Sequence, residues 1–406
     1  MPSSFIIFLL FGALLALQSA IALRDGFRFL RYVRRSLSAP QSDFHPRAAL
    51  VVPVKGVDAS LEASVSRLLA QDYPGYTLIF AVAQESDSAH AYLADRLRAY
   101  QPDGRAGPGA MKLVVAGLSE ERGEKVNNLL AALRAVPPGT EVLAFADADA
   151  RFKPGWLGAL VGPLGDPDVT VSTGFRWYLP GRTFASKLRS AWDTSIATMF
   201  SEHRSYFAWG GSMAIRTADF HHLKVAERYW SGSVSDDYGL TRAVREAGGG
   251  IRFEPKCLVA SSDEVDFRAF LHWSNRQIII TRVYAPHLWR LGLASHALFS
   301  GVLLFGLRIA LAPGSTTLRL FALGLDAAII LFGLWKAVLR QRVASEVFPE
   351  ETEALVETGS AYWRFWPLVP WVMLINFTVA GFTRRIEWRG VRYELLSPSR
   401  LRVSRP

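Results

Sequence analysis

The sequence predicts an α/β domain with membrane-spanning helices on its N- and C-terminal sides, and three observations carry that prediction. From about Ala48 to Phe253, short apolar runs alternate with helical patterns, as in a doubly wound sheet. Half of the 406 residues are hydrophobic and the mean hydropathy is +0.15, too apolar for an ordinary soluble enzyme. Apolar stretches of spanning length stand before the alternating region and after it.

The first such stretch, Phe5 to Leu23, carries no charge and is followed by Arg24, Arg28, Arg31, Arg34 and Arg35 against Asp25 alone. By the positive-inside rule the N-terminus lies outside and the following domain in the cytoplasm. Ala20-Ile21-Ala22 resembles a cleavage site, but no basic residue precedes the apolar core, so a retained signal anchor is expected rather than a cleaved peptide. Within the α/β region, Ala49–Val54 reads as the first strand and Leu61–Ala70 as its helix. Tyr76–Val82 and Ser88–Tyr100 follow as strand and helix, then Lys112–Ala116 and Val126–Ala135, then the strand Glu141–Ala146.

After Trp273 the pattern changes. Leu291–Ala312, Leu318–Leu339 and Phe365–Phe382 each reach spanning length, and Pro313-Gly314-Ser315 turns the first two into a hairpin. Arg308 and Asp326 are costly in lipid, so each is expected at an interface or against protein. Residues Arg340 to Arg364 read as a polar linker with five glutamates. Three full spans would put the C-terminus outside, yet Thr383–Pro406 holds seven arginines against Glu387 and Glu394, which argues for inside. The last apolar segment, interrupted by Pro367, Pro370 and Asn376, is the candidate for a re-entrant stretch. The expected organisation is a signal anchor and basic flank at 1–36, a catalytic domain at 45–285, a membrane region at 286–382 and a basic tail at 383–406.

The net charge of +10 does not form a uniform basic face; arginines cluster beside apolar runs, which favours an anionic membrane surface over nucleic acid. Cys257 is the single cysteine, so an intrachain disulfide is excluded and a small buried side chain is expected. His203, His221 and His222 lack a third partner at ligand spacing and are assigned no metal.

Chemistry concentrates at acidic pairs. Asp147 and Asp149 stand two residues apart at the end of a buried strand, where side chains at i and i+2 share a face. Hard carboxylate oxygens there suit Mg²⁺ or Mn²⁺ with substrate phosphates completing the shell; an Asx turn is the plain alternative. Asp236-Asp237 opens a helical pattern. One of the two can serve as N-cap, and neighbouring carboxylates discourage each other's ionisation, which favours a proton acceptor near neutral pH. Glu85 and Asp87 follow the second strand, either contacting a ligand or capping the next helix. Gly210-Gly211 permits close backbone approach or simply makes a turn. Phe184–Tyr206 reads as an amphipathic helix, with Trp192, Ile196, Met199 and Phe200 offered to the interface.

Taken in order, Lys55-Gly56-Val57-Asp58, Ala81-Val82-Ala83-Gln84, Lys125-Val126-Asn127-Asn128-Leu129 and the late acidic pair with Tyr238 resemble family 2-type membrane glycosyltransferases, the ceramide glucosyltransferase branch above all. The resemblance implies a nucleotide-sugar-binding domain of the glycosyltransferase A type. It implies donor contacts from Pro53, Lys55, Glu85 or Asp87, Lys125 and Asp147, a metal at Asp149 with Asp147, and Asp237 as base with Asp236 structural. The family's closing motif, Gln or Arg, two variable residues, then Arg-Trp, is altered here to Ala269-Phe270-Leu271-His272-Trp273. Trp273 is retained as a site residue or an interfacial anchor, and Arg268, Arg276 or Gln277 can compensate for the lost arginine.

The implied activity is an inverting, Mg²⁺- or Mn²⁺-dependent transfer of a hexose from a UDP-sugar to a lipid hydroxyl, with ceramide as the nearest acceptor. A hopanoid-lipid N-acetylglucosaminyltransferase is the close alternative, because the tail around Trp388-Arg389-Gly390 resembles bacterial members; a bacterial inner membrane follows from the same likeness. A non-catalytic membrane scaffold that has kept the fold is the rival from another class.

Overall fold

The structure is a computed structural model and describes residues 3–101, 107–200, 202 and 205–405. His203 lies outside the described residues. The chain divides into two compact units. One comprises Met1–Arg34, Tyr178–Thr198 and Ser262–Thr383; the other comprises Arg35–Trp177, Met199–Ser261 and Arg384–Pro406.

The chain opens with helix α1 (Ser3–Ser38), and the α/β unit then runs through β1 (Ala48–Pro53), α2 (Leu61–Leu69), β2 (Tyr76–Val82), α3 (Ser88–Ala99), β3 (Pro108–Val115), α4 (Glu124–Leu133) and β4 (Val142–Ala146). It continues with α5 (Trp156–Val161), β5 (Val169–Tyr178), and, after α6 (Phe184–Thr194), β6 (Ser212–Arg216), α7 (Thr217–His222), α8 (Asp236–Glu246) and β7 (Gly250–Ser261). The strands form one sheet in the order β3-β2-β1-β4-β6-β5-β7. The pairs among β1 to β4 are parallel, whereas β6 runs antiparallel to β4 and β5. Parallel strands buried on both faces explain the unbroken apolar runs. Leu50, Val52, Phe80 and Ala144 face α2, α3 and α5 on one side. Ala49, Val51, Phe145 and Met213 face α4, α7 and α8 on the other. The strand order reverses between β1 and β4, and ligands of open α/β sheets bind beyond the carboxyl ends at such a point. Cys257 is buried, with Gly174 packed so closely on its carbonyl that a Cβ would overlap it.

Residues 384–405 are folded. They form a three-stranded antiparallel sheet, β8 (Arg385–Trp388), β9 (Val391–Ser397) and β10 (Arg400–Ser404), with Ile386, Val391, Tyr393, Leu395 and Leu401 turned inward. This sheet belongs to the α/β unit. The Glu124 N–H donates to the buried Tyr393 hydroxyl at 3.3 Å, and Arg405 donates to the Ser119 carbonyl at 2.6 Å. Gly232 lies so close to the Ser399 carbonyl that a Cβ would overlap it.

In the other unit, α1 reaches 36 residues, about 54 Å at 1.5 Å per residue. Phe5, Phe8 and Leu15 of α1 pack with Phe299 and Val302 of α10 (Pro286–Leu311) and Ala322 and Ile329 of α11 (Thr316–Val347). The Arg34–Glu346 ion pair at 2.6 Å ties the far ends of α1 and α11. Helix α9 (Phe267–Tyr284) precedes α10; α12 (Thr352–Thr358), α13 (Ala361–Arg364) and α14 (Val369–Phe382) follow α11. Among the described residues, four helical stretches are long and apolar enough to cross a membrane: Phe5–Ser38, Pro286–Leu311, Thr316–Val347 and Ala361–Phe382.

Three sequence expectations change here. The polar linker shrinks, because α11 runs on to Val347 with Arg340 buried. The last apolar stretch is broken by a 3₁₀ turn at Trp366–Leu368, where Pro367 cannot continue the helix, and more of it is buried than of the other three. Phe184–Tyr206 is not one amphipathic helix: α6 stops at Thr194, and Trp192 and Phe200 are buried. The Trp192 indole donates to Asn376 at 3.0 Å, while Phe200 packs on Phe175 and Phe253. Asn376 is itself fully buried and donates to Ser274 and Asn275.

Helix α14 by itself is about 21 Å long, shorter than a hydrocarbon core of about 30 Å, and the 3₁₀ turn at Trp366–Leu368 separates it from α13.

Candidate active site

Four loops meet at the carboxyl ends of β1 and β4. Asp147 and Asp149 follow β4, and the Asp147 N–H donates to the Gly211 carbonyl at 3.2 Å, which fixes the start of the acidic turn. Lys125 sits in the first turn of α4, whose N-cap Gly123 donates to the Ser233 carbonyl at 2.9 Å. That tie brings α4 to the loop before α8. Ser235 caps α8, accepting from the Tyr238 N–H, and presents Asp236 and Asp237 in the first turn.

The result is a charged cluster. Lys125 Nζ lies 2.9 Å from Asp147 and 3.1 Å from Asp236. Arg176, from the buried strand β5, lies 3.1 Å from Asp147 and also pairs with Asp149, with its guanidinium over the Trp209 ring at 5.3 Å. Burial pushes the Asp149 carboxyl up, but Arg176 outweighs it and holds the group down at about 2. Asp236 goes the other way. It is 3% exposed, no aligned hydrogen bond reaches its Oδ2 among the described residues, and burial pushes it up to about 6 against the pull of Lys125. Lys125 is itself raised: burial pulls it down, and the carboxylates of Asp147, Asp236 and Asp237 overcome that. Asp237 is only half-buried. It accepts from Ser235 Oγ, from the Tyr238 N–H at 2.7 Å and from the Gly210 N–H at 3.4 Å.

Gly210 and Gly211 have a role the sequence reading did not foresee. A Cβ on Gly210 would overlap the Asp236 carboxylate, and one on Gly211 would overlap Trp209 and crowd Asp147. They bring the backbone against the protein's own acids.

The sequence-predicted donor residues separate into groups. Lys125 and Asp147 are in the cluster. Pro53 ends β1, half-buried and opposite Ala81. Lys55 follows it, and its ammonium pairs with buried Glu124 at 2.9 Å. Asp87 caps α3, accepting from Ala89 N–H at 2.9 Å and from Gly56 N–H at 2.8 Å, so it stitches the loops after β1 and β2 together. Glu85 is exposed. Trp273 lies on α9 in the membrane-helix unit, edge-on to Tyr178 at 5.4 Å and to Trp192 at 5.1 Å. Arg176 was missed; its signal is a lone arginine in the apolar run Gly174-Phe175-Arg176-Trp177.

Among the described residues there is no group of three or more His, Cys, Asp or Glu side chains placed to hold a metal. The oxygens of Asp147 and Asp149 are hard donors, and Arg176 already touches both carboxylates. This donor set fits a cation that takes most of its shell from substrate phosphates and water, not a closed protein cage.

Three comparisons bear on the chain as a whole. The model of glycosyl transferase family 21 matches residues 13–401. No curated protein sequence gives a significant match. Among solved structures, the mannosyltransferase PcManGT from Pyrobaculum calidifontis, in complex with GDP-Man and Mn²⁺, is similar at 18% identity and a TM-score of 0.47, over 92% of this chain and 98% of that one.

Proposed function

Since the chain belongs to glycosyltransferase family 21, we propose that it moves a hexose, with inversion, from a UDP-sugar to the hydroxyl of a membrane lipid, ceramide-like in the first instance. The observation that carries this reading is the convergence of Lys125, Asp147, Asp149, Arg176, Asp236 and Asp237 beyond β1 and β4, in a chain with four membrane-length helices.

In this reading Asp237, the half-buried member of the acidic pair, takes the proton from the acceptor hydroxyl. The acceptor oxygen then attacks the anomeric carbon, the bond from that carbon to the β-phosphate oxygen breaks, and UDP departs with the electron pair. The buried Asp236 holds Lys125 beside Asp147, and Arg176 adds fixed positive charge near the leaving group. Asp149 and Asp147 would hold Mg²⁺ or Mn²⁺, which neutralises a departing diphosphate when bound. The alternative acceptor is a hopanoid-like lipid with a UDP-N-acetylhexosamine donor, favoured by the sequence around Trp388-Arg389-Gly390.

Membranes containing the chain, incubated with a panel of labelled UDP-sugars, should yield one labelled lipid that mass spectrometry identifies. Asp237→Asn should lower kcat by roughly 10²- to 10⁴-fold while leaving UDP binding within a few fold. Turnover that survives Asp149→Ala together with Asp237→Ala would sink the mechanism. Silence with every donor would instead favour a scaffold that has kept the fold.

A further inference from the structure

We propose that Arg389, at the tip of the C-terminal β8–β9 hairpin, binds the diphosphate of the nucleotide-sugar donor. The proposal rests on the donor site described above.

Its first support is placement. The Arg389 guanidinium donates to the Lys55 carbonyl and lies 3.2 Å from Asp58 Oδ2, so it sits at the loop that follows β1. That loop flanks the switch point of the sheet, where a nucleotide-phosphate ligand is expected.

The second support is backbone strain. Trp388 pairs with Val391, and the two residues between them have φ values of 46° and 81°. Positive φ at both central positions is the type I′ hairpin turn, whose favoured sequence is Asn-Gly. Gly390 suits it. Arginine at the first position does not, because a long side chain gains nothing in the left-handed region. Among the described residues only Lys224 and Arg389 are non-glycines with positive φ. An arginine held where asparagine fits better points to a task for its guanidinium.

The third support is charge. A diphosphate must approach Asp147, Asp149, Asp236 and Asp237, all acidic. Lys125 and Arg176 each already bridge two of those carboxylates, and Lys55 is committed to Glu124. Arg389 is tethered to a carbonyl, to the partly exposed Asp58 and, at 5.9 Å, to the face of its neighbour Trp388, so its guanidinium can turn to a phosphate with little lost. Arginine's planar fork suits that ligand.

The test uses the full chain in detergent or nanodiscs, with magnesium held constant and calorimetric titration of UDP and of UMP. Arg389→Asn is the informative variant, because asparagine suits the turn and removes only the guanidinium. The expected result is a loss of UDP affinity of about 10-fold or more, UMP affinity within about 2-fold, and a melting temperature equal to or above wild type. Arg389→Lys should recover part of the UDP affinity. Equal UDP binding by wild type and Arg389→Asn would overturn the proposal, as would parallel losses for UDP and UMP or a lowered melting temperature. A wild-type chain that binds no UDP would instead remove the donor reading on which the proposal stands.

Discussion

Asp236 and Asp149 show how two carboxylates in one cluster are driven apart. Both are near cations, but Asp149 pairs directly with Arg176, whereas Asp236 is buried beside Lys125 without an aligned bond to its Oδ2. The consequence for stability has a definite sign. Asp236 is raised to about 6 in the folded chain, above the unfolded value near 3.9, so the unfolded chain releases its proton first as pH rises. Stability from this group is complete below about pH 4 and is lost as pH climbs through about 6. In Asp236→Asn that loss disappears. The melting temperature of wild type relative to the variant should therefore fall between about pH 4 and 6 and then level off; parallel curves over that window would refute the assignment. At this scale the acidic pairs were legible in the sequence because each stands at a strand end or helix start. Arg176 was not, since one arginine in an apolar strand carries no period that marks what it faces.

Among the elements, the parallel strands were the most legible. β2 coincides with the run read from Tyr76 to Val82, because a strand buried on both faces leaves a continuous apolar signature. The C-terminal hairpin was obscured by its arginines, although Val391-Arg392-Tyr393-Glu394-Leu395 alternates with a period of two and buries Val391, Tyr393 and Leu395. The broken last helix was signalled by Pro367, while the Trp192–Asn376 bond behind it was not, being a contact between residues distant in sequence. In the membrane helices, packing is close at Gly333, where a Cβ would overlap the Trp366 ring. Gly333→Ala should cost about 1–3 kcal/mol and lower the melting temperature in detergent. Shortening the opposing ring with Trp366→Phe should restore part of it. A neutral Gly333→Ala would mean that α11 and the turn at Trp366 are not in contact.

For the whole molecule, the informative fact is that residues 35–177, 199–261 and 384–406 make one unit although membrane-length helices interrupt them. A chain ending at Thr383 keeps every apolar helix. It should still resist alkaline carbonate extraction. It should also lose protease resistance in the α/β unit and bind UDP at least about 10-fold more weakly, because Tyr393 and Arg405 no longer brace the start of α4 and its approach loop. UDP affinity equal to that of the full chain would show that the C-terminal sheet is dispensable to the site.

The same sheet also sets an order of events during biosynthesis. Its strands leave the ribosome after α10, α11 and the broken α13–α14 stretch have been made. The acidic cluster is therefore left unbraced until the membrane-length helices have been synthesised and Tyr393 and Arg405 return to dock at Glu124 and Ser119. A nascent chain that has not yet reached β9 and β10 carries the acids without the brace that orders them, so synthesis of this sheet sets the moment at which the cluster is complete.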